Sequence, residues 1–425
     1  MYLVISDEVL NSLLDEAESD GALVGVRVDS GEVLRLLGPL HSHGALLPVG
    51  RWRKLHSAAP IGETALLAAA HATIASQEPL MSNDVLLLLY NGSERDTPVC
   101  HFFRAAANGT LEIQPFERLA LYADYRSRLQ GLFDSVALAN CTVGIVGLGT
   151  GGSVAAVELA KAGVGHFRLA DFDRLEVHNL ARHVCGMRDL GRYKTDAMRD
   201  YLLNTSPIVQ VETFNFDITT DDERLGRFMD GCDLVIGAAD SEAAKSYLNR
   251  AAWERGIGAV YGAAYDRGFG GDVFQALPPD GPCYECFRNA TAELFNAEPR
   301  PDELDYGTLV AQPALGLDVS FPALILARAA LTLLLAKYGE STPEMSPFHA
   351  NWVIWGNQPV PGWLTFDAPL QSDYVDIPVD EHCPVCQTAR YLQDELHLTA
   401  AEVTAEAAEL LTHLPAFPGA MPSVK

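Results

Sequence analysis

The sequence predicts an α/β protein whose main domain is a doubly wound, largely parallel sheet, with a smaller α+β domain in front of it. Three observations point there. From residue 136 to about 390, strand-length apolar runs alternate with helix-length segments, as when each helix crosses between parallel strands. A glycine-rich turn, Gly147-Leu148-Gly149-Thr150-Gly151-Gly152, follows the first of these strands and opens a helix. Two Cys-x-x-Cys pairs, Cys283/Cys286 and Cys383/Cys386, bracket the end of the domain.

At 425 residues the chain can hold two or three domains with buried cores. Hydrophobic residues at 48% and charged residues at 20% are ordinary for a soluble globular protein. The 30 basic and 56 acidic residues give a formal charge of -26. No basic excess exists to neutralise phosphates, so nucleic acid and membrane surfaces are not the expected partners. The N-terminal MYLVISDEVLNSLLDE lacks a basic start and meets Asp7 and Glu8, unlike a signal peptide, so a cytoplasmic location is expected. The apolar run Phe321 to Tyr338 is interrupted by Arg328 and Lys337 and reads as a buried helix, not a membrane span.

Residues 1–115 form the expected accessory domain, with strand-like runs LVGVRV and VLLLLY and an Ala-rich helix from Thr64 to Gln77. Residues 116–390 form the main domain, entered through an Arg- and Tyr-rich helix over 116–135 (ERLALYADYRSRLQGLF). The strand CTVGIVG leads to a helix from Ser153, then HFRLADF, a helix from Lys194 to Leu203, and the strands VQVETFNF, DLVIGA and AVYGAA. Residues 391–425 hold a polar helix, TAAEVTAEAAELL, and a proline-containing tail.

Glycines at 147, 149 and 152 fit G-x-G-x-x-G. The first permits a tight turn, the second lets backbone N–H groups approach phosphate, and the third lets helix pack on strand, a Rossmann-like arrangement. The next strand ends in Asp171-Phe172-Asp173, where a dehydrogenase would hold a ribose. Three later segments depart from a dehydrogenase: Asn179-Leu180-Ala181-Arg182, Gly191-Arg192-Tyr193-Lys194, and a strand running to Asp240. Singly, Arg182 and Lys194 read as solvated helix residues and Asp240 as a helix cap. As an ordered set they suit a triphosphate, the two cations balancing phosphate charge and Asp240 holding Mg²⁺. The four paired cysteines supply enough thiolates for a closed, tetrahedral, structural zinc site, with a redox pair as the rival reading.

Residues 120–390 resemble the ThiF-type adenylating domain shared by molybdopterin- and thiamine-pathway adenylyltransferases and by ubiquitin-activating enzymes. The resemblance rests on GLGTGG, Asp171-Phe172-Asp173, Asn179-Leu180-Ala181-Arg182, Gly191-Arg192-Tyr193-Lys194, Asp240 and the paired CxxC. It implies ATP as substrate, with Gly149 and Asp171 on the adenosine part and Asn179, Arg182 and Lys194 on the triphosphate. Asp240 would bind Mg²⁺ near the α-phosphate, and Gly147, Gly152 and Asp173 complete the nucleotide-binding set. It further implies a homodimer that lends an arginine across the interface, Arg128 or alternatively Arg126. The implied substrate is the C-terminal carboxylate of a ubiquitin-like or sulfur-carrier-like protein, with a conjugating enzyme downstream. A short peptide, as in microcin-type adenylyltransferases, is the alternative, and a non-catalytic scaffold subunit is a third reading.

Two departures stand out. Many relatives pass the acyl group to a cysteine between the zinc knuckles, yet no cysteine lies between Cys286 and Cys383. Direct transfer to an external acceptor, an oxyester on a Ser or Thr such as Thr308, or use of Cys185 are the remaining courses. Near the N-terminus, His41-Ser42-His43 resembles the H-x-H of JAB/MPN isopeptidases, but Trp52 and Leu55 stand where those enzymes carry a Ser and an Asp. A recognition domain without an active metal is expected.

Overall fold

The run VLLLLY lacks polar alternation because both faces of that strand are covered: Val85, Leu87 and Leu89 join one core and Leu86, Leu88 and Tyr90 another. The computed structural model describes every residue except 29–30, 40–47, 58, 76–79, 91–98, 297–312, 341, 360–365 and 389–425. Two units are present, Met1–Arg128 and Leu129–Lys425.

The first unit runs β1 (Tyr2–Ser6), α1 (Asp7–Asp15), β2 (Asp20–Val28), β3 (Val33–Pro39), β4 (Pro48–Leu55), α2 (Glu63–Ile74), β5 (Val85–Tyr90), β6 (Val99–Ala105), β7 (Leu111–Gln114), β8 (Phe116–Leu119) and α3 (Leu121–Arg126). Its strands form one mixed sheet, β7-β6-β5-β4-β2-β3-β1-β8. β4 and β5 pair in parallel, which requires a crossover, and α2 provides it. The Ser6 side chain caps α1 by accepting from the Val9 N–H at 3.3 Å.

The single helix expected over 116–135 does not form. Phe116 to Leu119 instead pair in parallel with Leu3 to Ser6, and the Phe116 ring packs 4.8 Å from that of Phe102. The sheet offers both backbone partners and an apolar face, and these outweigh local helix propensity. Gly131, with φ +88°, then separates α3 from the next helix.

The second unit runs α4 (Ser135–Leu138), β9 (Thr142–Val146), α5 (Thr150–Ala162), β10 (His166–Ala170), α6 (Lys194–Thr205), β11 (Gln210–Phe214), α7 (Asp222–Met229), β12 (Leu234–Gly237), α8 (Glu242–Glu254), β13 (Gly258–Ala264), β14 (Gly270–Ala276), α9 (Tyr284–Asn296), α10 (Gly316–Lys337), β15 (Trp352–Gly356) and β16 (Gln371–Val375). The strand order is β11-β10-β9-β12-β13-β14-β15-β16. The strands from β11 to β13 are parallel, and β14 to β16 extend the sheet antiparallel. The sheet is therefore doubly wound and mostly parallel, with an antiparallel wing.

β9 is flanked by β10 and β12, so strand order reverses beside it and a crevice opens at the carboxyl ends. Val143 and Ile145 face the core shared with α5 and α10, whereas Val146 belongs to the core on the other side. α10 is long and apolar enough for a membrane span, yet 61% of its most apolar window is buried inside the fold. It is the buried helix that the sequence predicts.

Candidate functional site: a nucleotide cleft beside a four-thiol cluster

The glycine loop is constrained at two positions and open at one. Gly147 has φ +85°, and a Cβ there would lie 2.5 Å from the Ala239 nitrogen. A Cβ on Gly152 would lie 1.9 Å from the Gly147 carbonyl oxygen, whereas one on Gly149 would meet nothing within 4 Å. α5 begins one turn earlier than expected, at Thr150, and no side chain caps it. Its first-turn N–H groups are left for an anion.

Leu148, in the middle of the loop, is held from both sides. Its N–H donates to Asp171 Oδ2 at 2.6 Å, and its carbonyl lies 2.8 Å from His183 Nε2. His183 Nδ1 accepts from the Cys185 N–H at 3.0 Å, so the proton sits on Nε2. Burial, aided by the charge of Lys194, keeps His183 below the usual imidazole range and neutral. The Asp171 carboxyl is raised by burial, with Lys194 and two backbone N–H groups pulling it back. Its Oδ1 accepts from the Asp173 N–H at 2.8 Å, so Asp171 braces the loop with both oxygens and each retains a lone pair for a ligand.

Lys194 opens α6 but is no solvated helix residue: it is buried, with Nζ 2.7 Å from Asp173 Oδ2. Asn179 accepts the Glu176 N–H at 2.9 Å and caps its own short turn. Arg182 is half-buried and makes no ion pair among the described residues. Asp240 is exposed, and the cap of α8 is Ser241, whose Oγ accepts from the Ala244 N–H at 3.3 Å. Asp240 is therefore left facing the cleft.

Gly147, Gly149, Asp171, Asp173, Asn179, Arg182, Lys194 and Asp240 line a single cleft of ≈ 970 Å³, the size of a small-molecule site. Gly152 lies beneath it, in the first turn of α5. Arg128 ends the first unit, exposed in the turn after α3, and Arg126 is half-buried in that helix. His183, Glu242 and Lys245 also line the cleft and were not singled out from sequence. The only signal was adjacency, to Arg182 for His183 and to Asp240 for the other two.

The Sγ atoms of Cys283, Cys286, Cys383 and Cys386 lie within 4.8 Å of one another. The Cys283–Cys286, Cys283–Cys383 and Cys286–Cys386 separations are 3.9, 3.5 and 3.3 Å. A tetrahedral site with Zn–S bonds of ~2.3 Å needs ~3.8 Å between sulfurs, so the donor set fits zinc. Hydrogen bonds from the neighbouring thiols, Cys283 first, hold Cys286 far below the usual thiol range, and the Asp380 N–H points at its sulfur at 3.4 Å.

The remaining cysteines are buried in the fold. Cys100 and Cys141 are buried with thiols pushed up to about 11, and Cys185 and Cys232 with thiols pushed up to about 12. Cys185 packs against Met198 at 3.6 Å between sulfurs. Trp52 is buried in a core and Leu55 packs on another. Thr308, His41 to His43 and the helix expected after residue 391 lie outside the described residues.

A doubly wound sheet with an uncapped glycine-rich turn, two cations and an acid at its switch point, and a four-thiol cluster defines a nucleotide-binding class. The ThiF family model matches residues 126–361, more than half of the chain, and the protein belongs to the ThiF family. Ubiquitin-like modifier-activating enzyme 5 of Dictyostelium discoideum is 32% identical over 159 residues, covering 35% of this chain and 42% of that protein. Adenylyltransferase and sulfurtransferase MOCS3 of Culex quinquefasciatus is 30% identical over 173 residues, covering 40% of this chain and 37% of that protein. The chain thus spans about two fifths of the length of these curated relatives. The crystal structure of E. coli MccB with ATP aligns at 20% identity and a TM-score of 0.45, covering 59% of this chain and 68% of that one.

Proposed function

We propose that the second unit adenylates the C-terminal carboxylate of a ubiquitin-like or sulfur-carrier-like protein, with release of pyrophosphate. The observation that carries this is the gathering of Arg182, Lys194 and Asp240 around one cleft beside an uncapped glycine loop. A dehydrogenase has no use for that set. A non-catalytic scaffold has no need of it either.

The loop and first-turn N–H groups of α5 take phosphate oxygens, and the Asp171 and His183 contacts hold Leu148 so that the loop is preorganised. Lys194 exchanges its half-exposed partner Asp173 for phosphate, and with Arg182 it balances the charge of the departing pyrophosphate. Asp240, a single exposed carboxylate, fits Mg²⁺, which takes one or two carboxylates alongside substrate phosphates and supplies further charge neutralisation there. Catalysis is then positioning and electrostatics, with no covalent step on the protein. Every cysteine is either in the metal cluster or buried with a raised pKa, which favours direct transfer to an external acceptor over a thioester relay.

By family resemblance the chain acts as a homodimer in which Arg128 of one copy serves the cleft of the other. Mixing inactive Arg128→Ala and Asp240→Ala proteins then restores activity through mixed dimers, and no restoration removes the shared-site reading. The adenylation reading itself is tested by ATP–pyrophosphate exchange with small carrier proteins and with short peptides ending in free carboxylates. A carrier protein that supports exchange, lost in Asp240→Ala, is expected; exchange with peptides alone assigns the peptide chemistry, and no ATP binding at all sinks adenylation.

A further inference from the structure

Most of the residues assigned to the nucleotide lie on one side of the cleft, with Asp240 at the boundary. The glycine loop, Asp171 and Phe216 to Thr219 lie on the side of β9, β10 and β11. Beyond the switch point, the walls are Ser241 to Lys245 of α8, Gly262 to Ala264 at the end of β13, and Val319, Pro322 and Leu326 of α10. Small and apolar groups dominate there. Among the described lining residues of this half, Lys245 is the one Lys or Arg side chain.

Its ammonium is held nearly out of water. The side chain is 5% exposed, with Nζ 3.0 Å from Glu242 Oε1 and 5.9 Å from the Tyr284 ring centroid. Asp272, which interacts electrostatically with Lys245, is buried and accepts from Trp352 Nε1 at 3.0 Å. Burial pushes the Asp272 carboxyl up to about 6, and the charge of Lys245 pulls it back. Glu242 is about half exposed and is tied to the Tyr284 hydroxyl at 3.0 Å and to Arg288 Nε at 3.5 Å.

A buried ammonium is costly unless paired. This one is paired with Glu242, a half-exposed and therefore exchangeable anion. An incoming carboxylate can take the place of Glu242 without the cost of desolvating Lys245 again, since the fold has already borne it. We propose that Lys245 binds the acyl end of the substrate, its ammonium meeting the carboxylate oxygen that does not attack phosphorus. Glu242 is the partner it exchanges. This rests on the adenylation reading, in which that carboxylate must lie beside Asp240.

The test uses the full chain and two probes, ATP with Mg²⁺ and 5′-O-(N-acetylglycylsulfamoyl)adenosine, a non-hydrolysable adenylate with a peptide-like acyl end. Calorimetric affinities are compared for wild type, Lys245→Met and Glu242→Gln. Loss of a charge-assisted hydrogen bond weakens the acyl probe about tenfold to a hundredfold in Lys245→Met, with ATP affinity unchanged. Glu242→Gln, which removes the competing anion at a half-exposed position, tightens the acyl probe and leaves ATP unchanged. Unaltered binding of the acyl probe to either variant overturns the assignment, as does equal loss of both probes in Lys245→Met while Glu242→Gln is neutral. Wild type binding neither probe sinks adenylation itself, a separate failure.

Discussion

His183 joins the glycine loop to the segment carrying Arg182, and its role has a pH signature. Its folded pKa is depressed below 6.5, chiefly by burial, so the unfolded chain binds more protons once pH falls below that value. The stability it contributes is full above pH 6.5 and is lost as pH falls toward the folded pKa. His183→Gln should therefore flatten the fall in melting temperature between about pH 7 and pH 5.5; an unchanged profile would show that His183 does not titrate as placed. The need for glycine at 147 and 152 was legible in sequence because a tight turn and a close helix contact each demand a residue without a Cβ. That Lys194 and Asp240 would reach one cleft was legible because their segments follow strands whose carboxyl ends converge at the switch point. His183 and Lys245 were not, since a lone histidine or a helical lysine looks the same in sequence whether it is solvated or buried.

At the scale of elements, the parallel strands of the second unit were readable because each apolar run stands between helices. β14 to β16 were not, because their pairing depends on partners distant in the chain: β14 meets Trp352 to Gly356. The segment over 116–135 shows the same limit, since its Arg, Leu and Tyr content favours a helix while β1 supplies a backbone partner invisible to local sequence. Phe116→Glu separates the two outcomes. In a helix it would be neutral or mildly stabilising. In a strand packed on Phe102 it should cost about 1–3 kcal/mol, read as a lower denaturation midpoint.

Over the whole second unit, the four-thiol cluster is wired to the cleft. Tyr284, the residue after Cys283, donates its N–H to Asn249 of α8 at 2.9 Å and its hydroxyl to Glu242, and α8 comes directly after Asp240 and Ser241. Structural zinc adds its binding free energy to folding. Chelation, or Cys383→Ser, should therefore lower thermal stability and weaken ATP binding together, with one zinc per chain by elemental analysis. Loss of zinc with ATP affinity intact would leave the cluster as a remote clip.

The central claim, attack of a substrate carboxylate on the α-phosphate at this cleft, is tested most directly by isotope transfer. A carrier protein that supports exchange is labelled with ¹⁸O in its C-terminal carboxylate, and the AMP released on transfer to an acceptor is weighed. The account predicts one ¹⁸O atom in each AMP and none in pyrophosphate. AMP free of label, formed at an undiminished rate, would contradict it.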